Sequence, residues 1–396
     1  MANVSSSNGI EKYPKLRFPE FTEPWKMLSA EELFENIVDK NHPDDTVLTI
    51  IQGSGTLPRS ESSRNIRYDE KGVANYKKVN TYDYIIHLRS FEGGLEMANS
   101  QGIISPAYTV LRSKKEFAPL FYDAYFHTDE FINHILAKSV EGIRDGRQIS
   151  YEAFKWLPIP TCNIEEQKKI AALLRVLNNR IKTQQLLVEA LKKYKRGLLT
   201  TLLSDNLSWQ KITMKDVATG FDYGMGSAAV EFDGTHKYIR ITDIDDDTRT
   251  YIQENLVSPS DTPEVKYRVN ENDILFARTG ASVGKSYLYK KEDGELYFAG
   301  FLIRASVKSN FDSYFVYLNT LTDNYDKWVK LESMRSGQPG INAEQYKNYS
   351  FYCPPIDIQN KIANITQKIE SKILYEQEIY AKLISVKKSM LQKLFI

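Results

Sequence analysis

The octapeptide Ile164-Glu-Glu-Gln-Lys-Lys-Ile-Ala171 returns 192 residues later as Ile356-Asp-Ile-Gln-Asn-Lys-Ile-Ala363. Both isoleucines, the glutamine, the second lysine and the alanine keep one offset. Upstream, Glu141–Gly146 parallels Glu332–Gly337 at an offset of 191, and Val79-Asn-Thr-Tyr-Asp83 parallels Val269-Asn-Glu-Asn-Asp273 at 190. Trp25 answers Trp209 near the two starts. Order is kept and the drift is small, so the chain is a tandem duplication.

Downstream of each octapeptide the spacing predicts a long helix. Residues 164–203 contain no proline and one glycine, Gly197. Ile170, Leu173, Leu177, Ile181, Leu187, Leu191, Leu198 and Leu202 recur mostly at three- and four-residue steps. Their partners in the second copy, Ile362, Ile365, Ile369, Ile373, Ile379, Leu383, Met390 and Leu394, are all apolar, and Tyr194 answers Val386. A helix of that length is a rod of roughly 60 Å. A lone rod would expose its stripe, whereas two rods of equal length can bury theirs on each other as a coiled coil. Ile170, Leu177, Ile181, Leu191 and Leu198 are the expected contacts from one rod. Ile362, Ile369, Ile373, Leu383 and Met390 are those from the other. Pro158, Pro160, Pro354 and Pro355 mark the two entrances.

Ahead of each rod the pattern is mixed, which makes the fold class α+β. Helical pieces are expected around Ala30–Val38, Leu120–Leu136 and Ser313–Trp328. Aromatic, β-branched runs at Tyr82–Leu88, Ala107–Leu111, Lys237–Ile241 and Leu296–Ile303 read as strands. The expected organisation is a globular domain at 1–163, a helix at 164–204, a second globular domain at 205–355 and a second helix at 356–396, the size of ordinary domains and their spacers.

With 396 residues and 42% hydrophobic content the chain can bury sizeable cores. Two cysteines form no disulfide framework, no apolar run reaches membrane-spanning length, and the first dozen residues lack the apolar core of a signal peptide, so the cytoplasm is the expected compartment. Net charge is +1, but residues 164–203 carry nine Lys or Arg against three Glu, and 356–394 seven Lys against four acids. The rest is therefore acidic, at about −8, and a free chain so charged should bind DNA poorly without partners.

One motif invites a nucleotide. Ile274–Tyr287 reads ILFARTGASVGKSY, but Gly280 and Gly284 enclose three residues where a phosphate-wrapping loop needs four. Aromatic runs on either side of Glu292-Asp-Gly294 then indicate strand, turn and strand, not a helix whose N-terminus faces an anion. Asp243–Glu254 places acids as a calcium loop would, yet Thr248 stands where that loop needs its turn glycine, so an acidic turn is expected and no metal. Neither a methyl-donor fingerprint nor a catalytic cluster is visible.

The order of mixed domain, rod, mixed domain, rod resembles the specificity subunit of type I restriction–modification systems. So do NDILFARTGASVGKSY, GIISPAY, RSGQPGINAEQ and the junctions LPIPTCNIEEQKKIAALL and CPPIDIQNKIANI. The likeness runs over essentially the whole chain; the first half has RDGRQISYEAF where the second has RSGQPGINAEQY. It implies two target recognition domains, each reading one half of a split double-stranded DNA site. It also implies rods that pair antiparallel as a ruler, giving a pseudo-two-fold repeat, with two methylation and two restriction subunits as partners. S-adenosylmethionine, ATP and magnesium would belong to those partners, with no cofactor in this chain.

Arginine suits guanine, glutamine and asparagine suit adenine, and flexible glycine turns approach phosphate. The expected DNA contacts are Arg89, Ser90, Arg147 and Gln148 in the first domain. In the second they are Arg278, Thr279, Ser282, Lys285, Ser286 and Gln338. Arg144 and Arg335 persist at matched places before the rods and are expected to buttress the corner between domain and rod. The readings to be weighed against this one are a scaffold that reads no sequence, a silent copy donating domains by recombination, and a nucleotide-binding enzyme.

Overall fold

The structure, a computed structural model, describes residues 13–62, 70–86, 94–141, 148–204, 208–334 and 338–396. The chain divides into two compact units, Met1–Gln185 with Glu378–Ile396, and Leu186–Gln377. Helices at Ile164–Leu202 and Ile356–Leu394 each give part of their length to one unit and the rest to the other.

Each unit is built on a four-stranded antiparallel sheet of one topology. In the first the spatial order is Phe34–Ile37, Thr109–Ser113, Tyr84–Ile86, Leu95–Met97. In the second it is Ala218–Tyr223, Leu302–Val307, Asp273–Ala277, Ser286–Leu288. A separate strand pair closes each base: Lys26–Ser29 on Pro158–Thr161, and Gln210–Thr213 on Ser350–Cys353.

The duplicated motifs now have physical reasons. Tyr82 and Asn272 hold matched positive-φ turns, at 76° and 69°. Just after them, Asp83 accepts the Asn80 amide and Asp273 the Asn270 amide, both at 2.8 Å. Each carboxylate thus closes the turn that launches a central strand. Gln167 and Gln359 are clamps. Gln167 Oε1 accepts the Ala118 amide at 3.1 Å while its Nε2 donates to the Cys162 carbonyl at 2.9 Å. Gln359 does the same with Asp312 at 3.0 Å and Pro354 at 2.9 Å. Both side chains are buried, and an amide satisfied at both ends fixes the entry of each rod.

The rods are part of the cores. In the first unit Ile170 and Leu174 pack with Trp25, Phe121 and Tyr125, and Leu394 and Phe395 from the end of the second rod join them. In the second unit Leu199 and Ile362 pack with Phe315 and Phe351. Burying such side chains contributes about 1.5–3 kcal/mol each. The buried face of the first rod runs through positions 170, 174, 177, 181, 184, 188, 191, 195 and 198, at alternating four- and three-residue steps. The second runs through 362, 366, 369, 373, 376, 380, 383, 387, 390 and 394. All ten expected contacts lie on these faces, buried or half-buried.

Four other residues of the expected stripe are exposed instead. Leu187, Tyr194, Ile365 and Val386 are 41%, 59%, 46% and 48% exposed. A six-residue jump from Ile181 to Leu187 turns about 240° around a helix and leaves its face. The seam passes instead through Gln184, which is buried and polar and therefore invisible to an apolar count.

Three local expectations change as well. Ala30–Leu33 is a single helical turn, and Phe34–Ile37 continues as an edge strand. The expected helices at 120–136 and 313–328 break at Thr128 and Thr322. Their hydroxyls accept the Phe131 and Tyr325 amides, both at 3.2 Å, and start a new turn each time.

Candidate nucleic-acid interface

In the second unit, strands Asp273–Ala277 and Ser286–Leu288 form a hairpin that carries five of the six DNA contacts expected there. Leu296–Phe298 leaves that hairpin and pairs in parallel with Lys237–Ile239. The chain beyond the glycines is therefore strand, as a phosphate loop would not allow. Gly280 has φ of 73° and opens a short 3-10 turn. Gly284 has φ of 85°, and a Cβ there would lie 2.6 Å from the Val329 methyls. Its carbonyl accepts the Tyr325 hydroxyl at 2.8 Å. The second glycine thus serves close packing against the helix Asp323–Glu332.

The tip is fastened to the segment after that helix. Gly280 N donates to the Pro339 carbonyl at 3.0 Å, and Ile341 N to the Arg278 carbonyl at 2.9 Å. Gln338, exposed, is thereby brought beside Arg278, Thr279 and Ser282, all half-buried. Lys285 and Ser286 are taken away from DNA. Lys285 is 6% exposed, donates to the Ile244 carbonyl at 2.9 Å and pairs with Asp246. Ser286 is 1% exposed and shares a hydrogen bond of 2.7 Å with Thr320. The two consecutive side chains point to opposite sides, Lys285 to Ile244 and Ser286 to Thr320, and both sides are covered, which the composition of the loop does not reveal.

Arg278 faces a groove of about 790 Å³. Its guanidinium carbon lies 5.0 Å from the Tyr223 ring centre and 5.9 Å from that of Phe301. Both rings are exposed, at 43% and 57%. Arg278 N donates to the Phe301 carbonyl at 3.0 Å, and Ala343 N to the Tyr223 hydroxyl at 3.2 Å, so backbone bonds hold the bracket in place. Gly224 lines the groove where a Cβ would lie 2.2 Å from the Ala299 carbonyl oxygen. The other arginine of the groove, Arg240, is spent on Asp243 through two bonds of 2.8 Å. Tyr223, Arg240 and Phe301 were not among the expected residues. The only signal for the two rings is an aromatic beside a glycine, in Tyr223-Gly224 and Gly300-Phe301.

The acidic turn consumes its own carboxylates. Asp245 accepts the Asp247 and Thr248 amides at 3.0 and 2.7 Å, hydrogen bonds that hold its pKa below the usual range, and Asp247 pairs with Lys192. Among the described residues no group of three or more His, Cys, Asp or Glu is placed to hold a metal.

In the first unit the matching hairpin tip, with Arg89 and Ser90, lies outside the described residues, as do Arg144 and Arg147 there and Arg335 in the second unit. Gln148 begins the short strand paired to Val140–Glu141, its side chain outside the description. Beside that hairpin Glu96, 3% exposed, accepts the Gly53 and Gly55 amides at 2.6 and 2.9 Å and His127 Nε2 at 3.4 Å. Burial works to lower the His127 pKa, but Glu96 and Asp123 outweigh it and the value is raised. Burial works to raise that of Glu96, and its hydrogen bonds outweigh it in turn.

Residues 206–384 match the family model of the type I restriction modification DNA specificity domain. The chain is 24% identical over 289 residues to the type I restriction enzyme StySPI specificity subunit of Salmonella potsdam, covering 68% of this chain and 61% of that protein. It is 29% identical over 127 residues to the MjaVIII specificity subunit of Methanocaldococcus jannaschii, covering 32% of this chain and 29% of that one. The matched stretch therefore spans less than two thirds of the length of either relative. In fold it is similar to the crystal structure of the type I restriction–modification S subunit from M. genitalium, with a TM-score of 0.58 and 16% identity over 97% of this chain and 99% of that one. Residues 206–384 are thus similar in sequence to the type I restriction modification DNA specificity domain, and the chain is similar in fold to a type I S subunit over nearly its whole length.

Proposed function

We propose that this chain is the DNA-sequence-recognition subunit of a type I restriction–modification complex, reading an asymmetric site in two halves, one per unit. The observation that carries this reading is the groove of the second unit. It lies within the matched specificity domain and presents an arginine that has no acidic partner among the described residues, between two exposed aromatic rings. Such a constellation suits base edges in a DNA groove. The chain itself is non-catalytic; S-adenosylmethionine, ATP and magnesium act on the partner subunits, and the complex works in the cytoplasm.

Two methylation subunits and two restriction subunits complete the assembly. Apolar side chains that the rods leave exposed, Leu187, Tyr194, Ile365 and Tyr375 in the second unit and Val176 and Val386 in the first, are the surface on which the methylation subunits seat. These partners also supply the phosphate affinity that a chain of net charge +1 lacks.

The test is modified-base sequencing of DNA from cells expressing this chain with its methylation subunit. A split motif with methylated adenines on opposite strands is expected. Exchanging residues 205–355 for another recognition domain should alter one half-site and leave the other half and the spacer intact. A co-purifying complex that leaves no methylated motif would refute the reading in favour of a scaffold or a silent donor copy.

A further inference from the structure

We infer that Arg278 is the guanine-reading residue of the half-site assigned to the second unit, held in reading position by Tyr223 and Phe301. This rests on the recognition function proposed above and goes further, to one side chain and one base.

Three observations separate a base reader from a phosphate contact. First, the plane of the guanidinium is set. Rings stand 5.0 and 5.9 Å from its central carbon, and its Nε is buried with no hydrogen-bond partner among the described residues. The side of the fork that carries Nε is closed, which leaves the two terminal nitrogens for an end-on pair of hydrogen bonds. Guanine alone among the bases presents two adjacent acceptors, O6 and N7, in the major groove to such a pair. A phosphate needs charge nearby and no fixed plane.

Second, the groove is poor in cations. Of its two arginines, Arg240 is neutralised by a two-bond pairing with Asp243, and no lysine lines it. A surface that tracks phosphates gathers several positive charges, because each neutralised phosphate adds its own increment. One unneutralised arginine in a groove whose other described polar side chains are hydroxyls and the paired Arg240 suits a single charged readout.

Third, the neighbours of the guanidinium are apolar and presented by rigid backbone. Phe301 stands at the turn where Leu302 N donates to the Ala299 carbonyl at 2.8 Å, and Met225 and Ala299 line the floor. Such surfaces fit flat base edges and the thymine methyl, and offer nothing to a phosphate oxygen.

An arginine stands at the matched place in the first copy, Arg89. Two copies that read different bases can share one guanine reader and differ around it, and the brackets do differ in sequence: at the turn that both copies make before the matched strand, the second has Gly300-Phe301 and the first Pro106-Ala107. The test therefore has to distinguish a base contact from a phosphate contact common to both copies.

The experiment uses the complex of the full chain with its methylation subunits. The motif is mapped by modified-base sequencing for wild type, Arg278→Lys and Arg278→Ala. Competition binding is then measured on duplexes carrying each base pair, or 7-deazaguanine, at the assigned guanine. Wild type is expected to require a G·C pair in that half-site. It should lose about 5- to 150-fold in affinity when that pair is changed, and measurably when only N7 is removed. Both variants should lose that preference at this one position, bind the 7-deaza duplex as well as the parent, and keep the other half-site and the spacer.

A half-site without a G·C pair overturns the inference before any variant is made, and an N7 substitution without effect on wild type does so without any mutation. Uniform weakening on every sequence, with the salt dependence reduced by about one phosphate, overturns it in favour of a backbone contact. Loss of all binding by both variants at unchanged thermal midpoint also overturns it, since one base contact does not carry the whole affinity. Absence of any split motif with wild type would remove the recognition function itself, which is a separate failure.

Discussion

Lys285→Met is the substitution that divides the two accounts of the Gly-Lys-Ser loop. If Lys285 meets DNA, its loss removes one phosphate contact and leaves the fold alone. The structure argues the reverse. The side chain is 6% exposed and its ammonium group donates to the Ile244 carbonyl at 2.9 Å, while the side chain of its partner Asp246 is 90% exposed. Methionine keeps the aliphatic stem packed. Asp246, already in water, loses little when its partner leaves. The cost falls on the Ile244 carbonyl, whose ammonium donor is gone, at about 1–3 kcal/mol. At about 2–4 °C per kcal/mol for a unit of this size, the thermal midpoint should fall by about 2–12 °C. Affinity for cognate DNA below that midpoint should be unchanged, and so should its salt dependence. The assay is a pair of measurements on wild type and variant: a melting curve of the chain, and anisotropy titrations of the assembled complex on labelled duplex at several salt concentrations. An unchanged midpoint together with a salt slope lower by about 0.9 would refute the burial argument and return Lys285 to the DNA surface.

Two further outcomes concern the first unit. Glu166 is fully buried and receives Arg17 through bonds of 2.7 and 2.8 Å and the Trp25 indole at 3.1 Å, so Glu166→Ala should cost about 3–5 kcal/mol by leaving Arg17 without its anion. The double variant Arg17→Met with Glu166→Ile should recover most of that loss in a denaturant titration, because the second copy carries Ile358 at the matched place; failure to recover would mean that the ion pair specifies the fold. His127 has a raised pKa in the folded chain, so its pairing with Glu96 stabilises fully below the unfolded value of about 6.5 and the stabilisation is lost as pH rises through the folded value. The midpoint advantage of wild type over His127→Gln should therefore be larger near pH 6 than near pH 8, and an advantage independent of pH would rule out the charged pair.

The duplication was legible because repeated constraints leave repeated residues. Gln167 and Gln359 clamp rod entries, Asp83 and Asp273 close strand-launching turns, and both pairs stand in matching sequence contexts. Local periodicity sufficed for two long helices, since both run for 39 residues without a breaker. It failed where the seam admits a polar residue: Gln184 is buried, and a count of leucines steps over it to exposed Leu187. It failed again at Phe34, where four helical residues give way to a strand whose pairing partner, Thr109–Ser113, is far along the chain.

The candidate site divides in the same way. A glycine-flanked arginine on a hairpin tip could be read from Arg278-Thr-Gly280 alone, because turns and strand alternation are local. Which side chains face outward could not. Lys285 and Ser286 look like surface chemistry by type, yet the pleat points them to Ile244 and Thr320. The bracket around Arg278 is assembled from Tyr223 at the end of an edge strand and Phe301 at a turn, with Asp243 withdrawing Arg240 from the groove. By itself the sequence determined the repeat, the rods and the resemblance to a family; only the tertiary structure decided which polar groups are already satisfied by the protein and which remain open to a ligand, because satisfaction depends on partners distant in the chain.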